Sequence, residues 1–152
     1  MIANMDDDCR AFYIASRLEN VGRVRELKRI LEAAGHVHTY DWTVHGSVQD
    51  AGLDAIREVA RREALGVLSA DVVIVLLPGG RGTHTELGIA IADAIRGQPK
   101  RIVLLSESSE IDFGTDGRTC ALYHHPKVER VTSWDALLAT LGVGGSGKGA
   151  RP

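Results

Sequence analysis

The 152-residue chain predicts a three-layer α/β sandwich: a mainly parallel, five-stranded sheet with helices on both faces. Three observations carry this expectation. Short apolar runs rich in Val and Ile alternate with longer segments of helical periodicity. The most apolar run, Asp71 to Leu77, reads as a strand buried on both faces. That run stops at Pro78-Gly-Gly, a turn signal, and after Gly82 and Thr83 the residues Leu87, Ala90, Ile91, Ala94 and Ile95 recur at helical spacing.

Taken in order, Ala11 to Ser16 reads as the first strand. After a polar connection, Val21, Val24, Leu27, Leu31 and Ala34 mark a helix that Gly35 ends. Val37 to Trp42 reads as a second strand, followed by a loop with His45, Gly46 and Ser47. A second helix is expected from about Asp50 to Ser69, then the central strand and its helix, ending near Gly97 to Pro99. Arg101 to Ser106 is a fourth strand, and residues 107–118 read as a loop. Thr119 to His125 reads as a short strand or an ordered loop, and Val128 to Thr132 as a fifth strand. Ser133 is placed to cap a last helix, Trp134 to Leu141. Residues 1–10 read as an N-terminal extension, 11–141 as the folded domain, and 142–152, with five glycines, as a flexible tail.

Strands that alternate with helices give parallel pairing, and five of them suggest the flavodoxin- or Rossmann-like order 2-1-3-4-5. In that order, strands 1 and 3 are neighbours whose connections leave to opposite faces. Ligands bind at such a switch point, beyond the C-terminal strand ends. The residues placed there are Ser16 and Arg17 after strand 1, Gly79 to Glu86 after strand 3, and Asp41 nearby after strand 2.

Composition narrows the class. A net charge of −2 gives no general nucleic-acid surface, and no apolar run approaches a membrane span. The first ten residues lack the features of a secretion signal, so a cytoplasmic location is expected. Cys9 and Cys120 read as reduced thiols. The histidines show no repeated ligand spacing, and no metal is expected. The glycine loop lacks the Gly-Lys-Ser/Thr ending of a Walker A sequence and does not follow Gly-x-Gly-x-x-Gly, so neither an ATPase nor a dinucleotide cofactor is expected.

Glu86 has two readings. Thr83 as N-cap with Glu86 at the third helical position would form a capping box, with the glutamate in the first turn. Alternatively, Gly79, Gly80 and Gly82 let the backbone approach a ligand, and Glu86 performs chemistry beside it. Glu63 falls within an apolar helical arc made by Leu53, Ile56, Val59, Ala60, Ala64, Val67 and Leu68. A carboxylate there forms an edge salt bridge or turns toward the same cleft as Glu86. Asp41 caps the next segment or binds a substrate. Arg17 and Arg81 hold an anion or are solvated, and His84 donates a proton or is an exposed first-turn residue.

Phe12-Tyr-Ile-Ala-Ser16, Ala70-Asp71 and Gly82-Thr-His-Thr-Glu86-Leu-Gly88 together resemble the nucleoside 2-deoxyribosyltransferase superfamily, which includes 2′-deoxynucleoside 5′-monophosphate N-hydrolases. The resemblance spans roughly residues 11 to 141. It implies that Glu86 is the nucleophile, that Tyr13 contacts it, that Ser16 helps hold the sugar or phosphate, and that Glu63 takes part in the site. It further implies a homodimer or larger homo-oligomer in which a C-terminal segment, with Tyr123 and His124 as candidates, completes the neighbour's site. The expected ligand is a nucleoside or nucleotide, bound by Ser16, Arg17, Asp41, Gly79, Gly80, Arg81, Gly82 and Thr83 without a cofactor. Glu63 or Asp41 would protonate the leaving base. The loop Pro78-Gly-Gly-Arg-Gly-Thr-His-Thr-Glu86 also resembles the lysine-decarboxylase-like phosphoribohydrolases, a second reading that breaks the same bond. A nucleotide-binding sensor without turnover is a third.

Overall fold

In the computed structural model, which describes residues 9–115 and 117–144, five parallel strands form one sheet in the order β2-β1-β3-β4-β5. The strands are β1 (Ala11–Ala15), β2 (Val37–His38), β3 (Val72–Leu76), β4 (Arg101–Leu105) and β5 (Val128–Val131). The helices are α1 (Val21–Ala33), α2 (Leu53–Ser69), α3 (Arg81–Ile95), the single turn α4 (Ser109–Asp112) and α5 (Trp134–Thr140). All five residues of β3 are buried, as a continuous Val/Ile/Leu run requires at the centre of a sheet covered on both faces. In β1, Phe12 pairs with Val72 and Ala15 with Val75, which brings the C-terminal ends of the two strands side by side. One helical layer contains α2 packed on α3. In the other, Arg23 of α1 lies 4.5 Å above the ring of Trp134 of α5.

Several local expectations hold for visible physical reasons. Gly35 takes φ +91° and ends α1. Ser133 Oγ accepts the Ala136 N–H at 3.1 Å and caps α5. Asp71 sits at the N-terminal end of β3, where its carboxylate accepts the Ala11 N–H at 2.9 Å. Cys9 and Cys120 are both free thiols.

Other expectations are corrected. β2 is only two residues long rather than running to Trp42. Trp42 gains more by leaving the edge: its indole N–H donates to the Ile14 carbonyl at 2.7 Å and its ring is buried, within a 3-10 turn over Trp42–Val44. α2 begins at Leu53 rather than near Asp50, because Gly52 turns the chain at φ +89°. The 107–118 loop contains α4, and of the two readings of 119–125 the ordered connection holds, as a 3-10 turn over Ala121–His124. α3 starts three residues earlier than a Thr83 cap allows, with Gly80 as its N-cap. Thr83 is instead the third helical residue, and its Oγ1 accepts the Gly80 N–H at 3.0 Å. Glu86 therefore sits in the second turn and plays no part in capping. The tail expected from 142 onward begins in contact with the body, where Val143 is buried, and residues 145–152 lie outside the described residues, as do 1–8 of the N-terminal extension. Among the described residues, no helix is long and apolar enough to cross a membrane.

Candidate active site

A pair of polar side chains joins β1 to α3. Tyr13 is the middle residue of β1 and is fully buried. Its hydroxyl donates to Oε1 of Glu86 at 2.6 Å, joining residues 73 positions apart. Gly66 of α2 makes room for this tyrosine: a Cβ there would lie 3.1 Å from the Tyr13 ring and 2.9 Å from Cβ of Tyr40. Glu86 is 7% exposed. Burial raises its pKa to about 8; the Tyr13 hydrogen bond acts against that rise, and the nearby Glu63 charge adds to it. Burial and the adjacent Glu86 carboxylate lift the Tyr13 phenol far above its ordinary range, so it remains a donor.

Glu86 forms part of the wall of a cleft of about 300 Å³ at the C-terminal ends of β1 and β3, the switch point of the sheet. Ser16, Arg17 and Leu18 line one side, Gly80, Gly82 and Thr83 another, and Glu63 with Trp42 and the 45–49 loop complete it. The Ser16 hydroxyl donates to the Leu76 carbonyl at 2.8 Å and accepts from Asn20 at 3.0 Å, so it ties the ends of β1 and β3 together at the cleft edge. The Nε of Arg17 is buried without a hydrogen-bond partner, and its ion pair with Glu19 spans 3.7 Å. Glu63 is half-buried, and burial raises its pKa against the opposing pull of His45.

The three loop glycines separate into different uses. Gly79 is required by the protein's own packing, since a Cβ there would meet Thr83 at 2.7 Å. Gly80 is the N-cap, and Gly82 faces open space on the cleft wall. Gly79 and Arg81 do not line the cleft.

Asp41 is also removed from the cleft. Lys28 pairs with it at 2.8 Å, and the Thr43 N–H and hydroxyl donate to it at 2.9 and 2.6 Å. Burial opposes ionisation there, but these three donors prevail and hold the carboxyl at about 2. A group so acidic has no proton to give a leaving base at neutral pH, which corrects its expected role. Tyr123 is buried within its own chain, hydrogen-bonded to His84 at 2.6 Å, and is not free to reach a neighbour's site. His124 pairs with the Thr119 hydroxyl at 2.9 Å, also outside the cleft.

Among the cleft residues outside the sequence candidates, His45 carries a free ring nitrogen. His45 Nδ1 lies 2.9 Å from the Gly46 carbonyl, which can only accept, so Nδ1 carries the proton. In the neutral ring Nε2 is then an acceptor, and it is buried without a partner. The signal was present, because His45 follows strand 2 at the ligand-binding end of the sheet. Metal-ligand spacing does not single it out.

A groove of similar size, about 330 Å³, lies at the opposite ends of the strands beside Arg101. The Arg101 guanidinium is spent on Glu129 and on the Thr140 carbonyl and hydroxyl. That groove holds no carboxylate among its lining residues.

No protein-family model matches the chain, and no curated protein matches it in sequence. Its structure is similar to that of the CMP N-glycosidase BcmB from Clostridium botulinum. The two share a TM-score of 0.56 and 20% identity over 87% of this chain and 97% of that one. A likeness at that identity establishes the shared α/β fold. The chemistry rests on the site itself: a buried carboxylate held by a phenol, a second half-buried carboxyl, and a helix N-terminus with open backbone beside them.

Proposed function

We propose that the protein cleaves the N-glycosidic bond of a ribo- or deoxyribonucleoside 5′-monophosphate, with Glu86 as nucleophile. The observation that carries this reading is the buried Tyr13–Glu86 pair in a cleft walled by the start of α3. Tyr13 occupies Oε1 and orients the carboxylate, leaving Oε2 to attack C1′ of the sugar. As that C–O bond forms, the C1′–N bond breaks and its electron pair goes to the base. The transition state has oxocarbenium character, which the adjacent carboxylate stabilises. Glu63 lines the same cleft and is the group that hands a proton to the departing base. Water then attacks C1′, Glu63 takes the water's proton, and the Glu86 ester is released as carboxylate. A free base in place of water would make the same site a transferase.

Arg17 and the open backbone at Gly82 suit the 5′-phosphate, and the unpaired Nε2 of His45 suits a donor on the base or sugar. Among the exposed apolar residues are Leu53, Leu65 and Leu68 of α2, which fit a homo-oligomer. The phosphoribohydrolase reading shares the bond and the glutamate and differs in requiring a ribonucleotide.

The test is incubation with a panel of ribo- and deoxyribonucleoside monophosphates and their nucleosides, with and without a free base, followed by chromatography. Base release from monophosphates that disappears in Glu86→Gln is expected. An exchanged nucleotide would identify a transferase, and a requirement for ribose the second reading. Binding without base release at any enzyme concentration would overturn the enzymatic reading in favour of a sensor.

A further inference from the structure

His84 and Tyr123 do not line the cleft, yet together they grip one of its walls. His84 Nδ1 lies 2.7 Å from the Gly80 carbonyl, and its Nε2 lies 2.6 Å from the Tyr123 hydroxyl. The carbonyl can only accept, so Nδ1 carries the hydrogen; in the neutral ring Nε2 then holds the lone pair that receives the Tyr123 O–H. The Tyr123 ring stacks on His84 with centroids 5.7 Å apart, and Phe113 meets it edge-on at 6.3 Å. Tyr123 is itself fixed from β5, where Arg130 donates to its carbonyl at 3.0 Å. A relay of hydrogen bonds thus runs from the far edge of the sheet to the N-cap of α3.

The Gly80 carbonyl is the acceptor that sets this turn. It also receives the His84 backbone N–H at 3.2 Å, while the Gly80 N–H is held by Thr83. A trans peptide is planar, with its C=O and N–H pointing in opposite directions. Pulling the Gly80 oxygen down along the helix therefore directs the Arg81 N–H outward from the helix start.

We propose that His84 and Tyr123 are positioning residues that fix the Gly80–Gly82 turn in the orientation that receives the substrate's 5′-phosphate. This rests on the monophosphate reading above. It assigns the pair a role in recognising the phosphate and none in the bond-breaking step at Glu86.

Three variants test it, His84→Ala, His84→Asn and Tyr123→Phe, each assayed for kcat and KM on a nucleoside monophosphate and on the matching nucleoside. His84→Ala and Tyr123→Phe should raise KM for the monophosphate about tenfold, the scale of one hydrogen bond, and leave KM for the nucleoside unchanged. Their kcat should stay within about twofold of the parent. His84→Asn keeps an N–H near the Nδ1 position but loses the acceptor for Tyr123, so it should raise KM for the monophosphate no further than Tyr123→Phe does. An equal loss on both substrates, or a fall in kcat at constant KM, overturns the proposal in favour of a purely structural role. A parent enzyme that does not prefer the monophosphate overturns the phosphate reading and this inference together. A preference that the variants leave intact overturns this inference alone. Nitrogen NMR of the unmodified protein gives a check independent of turnover. His84 should show a protonated Nδ1 and a bare Nε2, and the opposite tautomer would refute the relay.

Discussion

Tyr13→Phe removes one hydroxyl and leaves the ring that fills the centre of the sheet. That hydroxyl is the hydrogen bond that works against the burial-driven rise of the Glu86 pKa to about 8. The proposed nucleophile must be ionised, so the titration of Glu86 should appear in kcat/KM of the unmodified protein as a midpoint near pH 8, since this parameter reports the free enzyme. A hydrogen bond to a charged group contributes about 1.5–3 kcal/mol, and each pH unit corresponds to about 1.4 kcal/mol. Losing the bond should therefore move the midpoint upward by about one to two pH units. At neutral pH the ionised fraction would fall by about 10- to 100-fold, and kcat/KM with it. The assay is initial-rate kinetics on one nucleoside monophosphate across the alkaline range, with and without the hydroxyl. Activity should recover as the pH is raised. A midpoint that stays in place, or moves down, would refute the assignment of Glu86 as the ionising nucleophile held by Tyr13.

Glu86→Gln should abolish turnover and stabilise the fold. The folded carboxyl titrates at about 8 against an ordinary 4.5, so the native state keeps a proton that the unfolded chain gives up as pH rises between these values. The unmodified protein thus loses stability from about pH 4.5 upward to 8, and at pH 7 removing the acid should add on the order of 3 kcal/mol, read from denaturant melts. A variant less stable than the parent at that pH would contradict the burial argument. Gly66→Ala places a Cβ 3.1 Å from the Tyr13 ring and should destabilise by about 1–3 kcal/mol while moving the pH profile in the same direction as Tyr13→Phe. An unchanged profile would show that Tyr13 does not depend on that space. His38 stacks on Phe12 with both ring nitrogens buried and unpartnered, and burial depresses its pKa below 6.5. Its contribution is present above that value and is lost as pH falls through the folded pKa, so His38→Leu should lose less stability than the parent as pH falls from neutral through that range. Parallel melting curves for the two proteins would refute this.

The sheet order and the position of Glu86 at its switch point were legible in the sequence because the signals are local. Val72 to Leu76 is apolar without alternation, as burial on both faces demands, and the glycine turn directly after it starts the helix that carries Glu86. Periodicity also placed Glu63 toward the body of the protein. It gave only a direction, however, and not what covers each residue. Leu53, Ile56 and Leu68 share that apolar arc and remain exposed, while Glu63 is half-buried. What tertiary structure alone decided is which polar atoms are already spent. Lys28 and Thr43 claim Asp41, Leu76 and Asn20 claim the Ser16 hydroxyl, and His84 claims Tyr123. His45 is left with a buried nitrogen unclaimed. The Tyr13–Glu86 bond crosses 73 residues and requires a glycine on a third element, α2. A buried polar group must find a partner or shift its pKa, and with partners so distant in sequence, packing decides which it does.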